Sequence, residues 1–181
     1  MSHTRQIRNL ALIGFMGTGK STVGRLVARQ LGLAFVDTDD RIVQLAGKTI
    51  PRVFAEDGEA AFRAIERRVV TELVRLNDTV IATGGGLGAN LDNLASLKTH
   101  ALVVCLWATP EVIWSRVRRA PRRPLLQVPD PLGRIRELLA ERTPAYRQAD
   151  VLVYSGLRQL REVAWHVSEQ FQLARQASAP P

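Results

Sequence analysis

Cysteine is nearly absent: the 181 residues hold one, Cys105. A single thiol cannot close an internal disulfide, so a stapled secreted fold is excluded and the expected location is the cytoplasm. The three histidines, His3, His100 and His166, stand far apart. With one cysteine they offer no paired metal-ligand spacing, which argues against structural zinc. No apolar run reaches the roughly 18 residues of a membrane span. Arg5 and Arg8 before Leu10–Met16 faintly imitate an export signal, but that stretch is short and leads into Gly17-Thr-Gly-Lys20 instead of a cleavage site. No membrane association is expected. Aromatic residues are sparse, at 6%, and do not interleave with basic ones as in single-strand binders. Trp107, Trp114 and Trp165 therefore read as packing residues, Cys105 as core, and no nucleic-acid partner is expected.

What is present is an ordinary soluble balance, 46% hydrophobic and 23% charged. The length suits one domain over residues 1–181, able to bury about 70% of its unfolded surface. Lys and Arg exceed Asp and Glu by 25 to 17, a net charge of +8. That favours an anionic partner without choosing among nucleotides, nucleic acid and acidic metabolites. Short apolar runs at Leu10–Gly14, Ala34–Val36, Thr79–Ala82, Ala101–Trp107 and Val151–Tyr154 read as buried strands. Between them lie helical stripes: Val23, Leu26, Val27 and Leu31; Phe62, Ile65, Val69, Val70 and Leu73; Val112 to Arg119; Ile135, Leu138 and Leu139, which Pro144 should interrupt or end; and Leu157–Leu173. Five strands alternating with helices predict an α/β layer fold with a parallel sheet. Pro121–Pro131 carries four of the nine prolines and reads as a loop; the tail should fray from about residue 174.

Gly14-Phe-Met-Gly-Thr-Gly19-Lys20-Ser21 fits G-x-x-x-x-G-K-S/T. Its glycines let the backbone curl so that successive N–H groups form an anion nest. The helix that follows turns its positive end toward the phosphates. Lys20 is placed to reach the β- and γ-phosphates and Ser21 Oγ to bind Mg²⁺. Chance occurrence in a chain this long is below about one in a hundred at ordinary glycine usage, so this is a phosphate-binding loop.

Such a site calls for a carboxylate at the end of a neighbouring strand. Trp107 is followed by Ala108 and Thr109, which offer none. Asp37-Thr38-Asp39 puts two acids at a strand's carboxyl end, where open α/β sheets bind ligands. In extended chain they would share a face, one holding the metal's water shell and the other accepting a hydroxyl proton. Alternatively, Thr38 or Asp39 caps a helix carrying Ile42, Val43 and Leu45. Gly84-Gly85-Gly86 marks either a close approach by ligand or a sharp turn. Arg63 lies at helical spacing from Glu59 and Glu66 and alone would read as a surface ion pair. Arg142 continues the stripe of Ile135, Leu138 and Leu139, so it points inward and wants an anion, which Asp150, Glu137 or a substrate could supply. Arg116, Arg118, Arg119, Arg122 and Arg123 crowd eight residues. They suit a lid over phosphates, a solvated face or a nucleic-acid patch. The residues by themselves thus describe a small P-loop enzyme moving a phosphoryl group to a small, negatively charged alcohol. Another small-molecule or nucleotide kinase, or a nucleotide-dependent nucleic-acid binder, remains open at this level.

The ordered set of Gly14–Thr22, Asp37-Thr-Asp39, Phe54-Ala-Glu-Asp-Gly58 with Phe62-Arg63, Gly84-Gly85-Gly86, Arg123-Pro-Leu-Leu126 and Arg142-Thr-Pro-Ala-Tyr146 resembles the shikimate kinase family from about Leu10 to Leu160. The resemblance implies a P-loop kinase fold with a five-stranded parallel sheet in order 2-3-1-4-5. It also implies a substrate-binding helical region near 38–66 and a lid near 116–128. It implies ATP-dependent phosphorylation of the shikimate 3-hydroxyl, with Mg²⁺, on the way to chorismate and the aromatic amino acids, by a monomer. Gly17, Thr18, Gly19, Lys20, Ser21 and Thr22 would bind the ATP phosphates, with Arg116, Arg123 and Arg158 as further nucleotide contacts. Ser21 and Asp37 would serve the metal. Asp39, Arg63, Gly84, Gly85, Gly86 and Arg142 would bind shikimate. Lys20, Asp39 and Arg123 would act in the transfer.

Overall fold

The computed structural model describes residues 5–118, 124–156 and 158–178. Its spine is β1, Asn9–Ile13, buried at every position. β1 lies between β3 (Thr79–Ala82) and β4 (Ala101–Trp107), with β2 (Ala34–Asp37) outside β3 and β5 (Val151–Tyr154) outside β4. All four pairings are parallel, in the order β2-β3-β1-β4-β5 that the family resemblance implies. A sheet covered on both faces needs near-continuous apolar strands, and β1 and β4 supply them.

Alternation along the strands sorts two cores. Ala11, Ile13, Ile81, Val103 and Cys105 face α4 (Gly58–Leu73), α5 (Leu91–Lys98), α6 (Pro110–Val117) and α7 (Pro131–Tyr146). Leu10, Leu12, Val80, Leu102, Val104 and Leu106 face α1 (Lys20–Leu31) and α8 (Leu160–Ala177). The expected stripes close these cores: Val23 and Val27 on α1, Phe62, Val69, Val70 and Leu73 on α4, Ile135 and Leu138 on α7. α2 (Thr38–Ala46) and α3 (Ile50–Glu56) join β2 to α4, so α2, α3 and the first half of α4 fill the expected substrate region.

Four details depart from the sequence reading. α3 and α5, at 7 and 8 residues, are helices that no stripe announces. Pro144 does not end its helix: it sits in the last turn of α7, where its missing N–H deprives one carbonyl, and Arg147 N donates to Thr143 O at 2.9 Å beyond it. Within the proline-rich loop, Pro124–Leu126 forms a 3-10 turn; of the expected lid, residues 119–123 fall outside the described residues. The tail is helical through Ala177, held by an Arg175–Asp78 ion pair at 2.6 Å and by Ile7 N donating to Ser178 Oγ at 3.2 Å.

Candidate active site

At the carboxyl edge of the sheet, β1 gives way to the phosphate loop. Gly14 has φ 132°, and a Cβ there would strike the Leu106 carbonyl. Gly17 and Gly19 take φ 77° and 95°, left-handed values that L side chains avoid, and Gly19 is the N-cap of α1. Thr18 is buried inside the loop, its Oγ1 donating to Phe15 O at 2.8 Å. Lys20, the first residue of α1, folds back so that Nζ donates to Gly14 O and Phe15 O, both at 2.9 Å. Gly17, Gly19, Lys20, Ser21 and Thr22 line a cleft of about 370 Å³ shared with Met16, Asp37, Asp39, Thr83, Gly85, Arg116 and Leu160. Of the expected loop contacts, Thr18 alone is turned away from this space.

The acid pair arrives by a different local geometry from the one expected. Asp37 ends β2, whereas Asp39 already lies in the first turn of α2, so the two do not share an extended strand. The cap is Asp37, not Thr38 or Asp39: its Oδ1 accepts from Asp39 N at 3.0 Å. Its Oδ2 accepts from Ser21 Oγ at 2.7 Å. Capping and site geometry are therefore both met by one side chain, as P-loop and β2 are drawn together. Thr38 is fully buried and accepts from Gly84 N at 2.8 Å. Val43 and Leu45 stay exposed; only Ile42 of that trio enters the core.

Each glycine of the triplet abuts a different candidate. A Cβ on Gly84 would collide with Asp39 Oδ1, one on Gly85 would lie 3.4 Å from Met16 N, and one on Gly86 would lie 3.5 Å from Arg63 Nη1. The stretch is both a turn and a close approach. Arg63, Gly86, Ala89, Asn90 and Arg142 line a smaller recess of about 270 Å³, and Gly85 belongs to the larger cleft. Arg63 is held by Glu66 at 2.9 Å and Glu59 at 3.1 Å. Burial works against its charge, and these carboxylates, buried Glu66 foremost, more than offset that. The ion-pair reading holds, and the same side chain also lines the recess. Arg142 donates to Gly85 O at 3.1 Å and lies over the Phe15 ring. The acids considered for it are engaged elsewhere, Asp150 with Arg5 and Lys98 and Glu137 with Arg134. Among the described residues no carboxylate pairs with Arg142. Two cations thus converge on one recess with one of them lacking a protein carboxylate, which is how an anion site is built.

The remaining arginines divide. Arg116 lines the cleft and ties two loops: it donates to Gly17 O at 3.3 Å in the phosphate loop, and to Ser155 O at 2.6 Å and Gly156 O at 3.0 Å after β5. Arg158 is exposed and outside the cleft lining. Arg123 lies outside the described residues. Three contributors lie outside the expected site residues: Thr38 as a tether for Gly84, Glu66 as the buried partner of Arg63, and Tyr146, whose hydroxyl donates to Gly85 O at 2.7 Å. Glu66 shows in the sequence as an i+3 partner of Arg63, and Tyr146 follows Arg142 by four residues on the same inward stripe; Thr38 has no such signal. Cys105 is core as expected, and burial pushes its thiol up to about 12. Among the described residues no three His, Cys, Asp or Glu side chains gather to hold a metal, and no helix is long and apolar enough to cross a membrane.

Comparison with known proteins matches this arrangement. The family description "Shikimate kinase" matches residues 16–172. The chain belongs to the shikimate kinase family. It is 47% identical to the shikimate kinase of Deinococcus radiodurans over 170 residues, 94% of this chain and 86% of the relative. With that of Caldanaerobacter subterraneus it shares 44% over 161 residues, 89% of this chain and 94% of the relative. The solved shikimate kinase of Acinetobacter baumannii, in complex with shikimate, superposes with a TM-score of 0.87 at 37% identity, covering 93% of this chain and 95% of that one. Family membership and the sheet order agree, so the cleft and its adjoining recess sit on a shikimate kinase scaffold.

Proposed function

We propose that this chain transfers the γ-phosphoryl group of ATP to the 3-hydroxyl of shikimate. The observation that carries the reading is the adjacency of two anion-binding spaces: a phosphate loop opening on the Asp37/Asp39 pair, and beside it the Arg63/Arg142 recess, joined by Gly84–Gly86. One space suits a triphosphate, the other a carboxylate; Asp39 lines the first and abuts Gly84, whose neighbours Gly85 and Gly86 border the first and the second space in turn.

The amides of Gly17 and Gly19, Lys20 and the N-terminus of α1 bind the β- and γ-phosphates, with Ser21 and Thr22 at the helix start. Arg116 braces the loop from the side of Ser155 and Gly156; Arg123 and Arg158 would supply the further nucleotide contacts that the family resemblance implies. Arg63 and Arg142 bind the shikimate carboxylate, and Gly85 with its neighbours approaches the ring. Asp39 accepts the 3-hydroxyl proton as that oxygen bonds to the γ-phosphorus and the bond to the β–γ bridging oxygen breaks, releasing ADP. Lys20 holds the charge that gathers on the transferring group.

Mg²⁺ fits the chemistry of this site: Ser21 Oγ and Asp37 offer hard oxygens 2.7 Å apart at the loop's mouth, and this ion is ordinarily shared between few protein oxygens, water and phosphates. Ser21 would hold it directly and Asp37 through water, and when bound it would neutralise phosphate charge. We place the protein in the cytoplasm as a monomer; the single cysteine, which closes no internal disulfide, supports the location.

The test is an ATP-consumption assay across small hydroxy acids and nucleoside monophosphates, with product position read by phosphorus NMR. Shikimate alone should give rapid turnover, with phosphate at O3. Preference for a nucleoside monophosphate would overturn the reading.

A further inference from the structure

The Gly84–Gly86 stretch has no side chains with which to brace itself, yet it forms the wall between the two anion-binding spaces. Its own turn closes it locally, with Leu87 N donating to Gly84 O at 3.2 Å and Ala89 N to Gly86 O at 3.1 Å, but its place against the rest of the site must come from outside contacts. Two elements supply them. From α2, Thr38 Oγ1 accepts from Gly84 N at 2.8 Å. From α7, the Gly85 carbonyl receives two donors, Arg142 Nη1 at 3.1 Å and Tyr146 Oη at 2.7 Å. A carbonyl oxygen has two lone pairs, so both are taken from the same side. In a trans peptide the next N–H points opposite to the carbonyl, so anchoring Gly85 O on α7 directs the Gly86 amide away from α7. The same contact fixes one edge of the Arg142 guanidinium.

The two donors differ in kind. Arg142 lines the recess and is expected to engage the acceptor's carboxylate. Tyr146 does not line it: its ring is core, 6% exposed, packed on the far side of the glycine wall with Cys105 and Leu139 around a separate apolar pocket.

We propose that Tyr146 is a positioning residue for the acceptor: its hydroxyl holds the Gly85 peptide, and with it Arg142, in the geometry that receives the substrate acid. This rests on the function proposed above. Tyr146 keeps its donor throughout the working range, since burial raises the phenol to about 12. Its contribution is therefore insensitive to pH below that range. The hydroxyl touches nothing on the phosphate loop; Gly85 borders the larger cleft beside Met16 as well, but it is Arg142 that shares its carbonyl, so the effect falls on acceptor affinity first.

The experiment is Tyr146→Phe in the full chain, which keeps the ring and removes one donor. Steady-state kinetics with shikimate and ATP should show the acceptor KM raised roughly three- to tenfold, the scale of one neutral hydrogen bond. kcat should stay within about twofold, with ATP KM and Tm close to those of the unaltered protein. As a second measurement, amide hydrogen exchange across Gly84–Leu87 should quicken in the variant. An unchanged acceptor KM, unchanged exchange, or equal losses in both KM values with a lowered Tm would overturn the assignment. If the unaltered chain itself fails to phosphorylate shikimate, the proposed function falls and the tether falls with it; if it turns over and the Phe variant matches it, the tether alone is lost.

Discussion

The two halves of the site are built in contrasting ways. The phosphate half is one continuous segment, Gly14–Thr22, whose shape is set by its own glycines and by Lys20 and Thr18 bonding back to Gly14 and Phe15. The acceptor half draws Asp39, Arg63, Gly84–Gly86 and Arg142 from α2, α4, the turn after β3, and α7. A local loop is rigid because its neighbours in sequence are its neighbours in space. An assembled pocket is only as well placed as the helices that carry it. Damage to the first should therefore remove the chemistry, and damage to the second should loosen the acceptor while nucleotide binding survives.

The sharpest test of that contrast is Lys20→Ala. It removes the ammonium at the centre of the phosphate half and should lower kcat by roughly several hundred- to a thousandfold, the scale of losing a preorganised electrostatic donor. Single-turnover transfer from radiolabelled ATP measures this, and near-normal transfer would move the nucleotide site elsewhere. Next in size is Asp39→Asn, expected to cut kcat about a hundredfold or more for loss of a proton acceptor, with ATP KM changed little. If ATP affinity drops as much as kcat, Asp39 belongs to the phosphate half and the division fails.

The same contrast governs what could be read from the chain alone. The phosphate loop is legible because all of its physics lies within eight consecutive residues. The sheet is legible because β1 and β4 are buried on both faces and read as unbroken apolar runs. The short helices α3 and α5 are not, since α3 buries only Val53 and so generates no stripe. The acid pair is legible as residues but not as geometry: α2 begins at Thr38, two residues earlier than the strand argument allows, because Asp37 both caps it and meets Ser21. Thr38 carries no local signal, as its meaning lies in Gly84 of another segment; Glu66 shows locally as an i+3 partner of Arg63, but its burial does not. Pro144 misleads because proline's penalty depends on its place in the helix, and the last turn has little to lose.

On the acceptor side, Arg142→Ala should raise the shikimate KM about ten- to a hundredfold, the scale of a hydrogen bond between charged partners. ATP KM should hold, because Arg142 reaches the phosphate loop only through the Phe15 ring. Deoxy or decarboxylated analogues sharpen the result: the variant should lose its discrimination against an acceptor lacking the carboxylate. Retained discrimination would assign the carboxylate to Arg63 alone.

The smallest effect is expected where neither half is touched. Asp150 lies between α7 and β5, where Oδ2 accepts from Val103 N at 2.8 Å and the carboxylate pairs with Arg5 and Lys98. Partial burial favours its neutral form, but Arg5, the Val103 amide and Lys98 outweigh that and hold it below the ordinary aspartate value of 3.8. Its folded value is thus lower than its unfolded one, so it stabilises the protein above about pH 4 and that contribution fades as pH falls through the folded value. Asp150→Asn should cost about 1 kcal/mol near neutrality, or roughly 2–4 °C in Tm for a chain of this size. Both KM values should be unchanged. Thermal melts from pH 7 down to pH 3 should show the gap between variant and unaltered protein closing on the acid side. A gap that widens on acidification would reverse the sign of the linkage, and a shift in either KM would mean that the far end of α7 reaches the site through Arg142, so the two halves would not be mechanically separate.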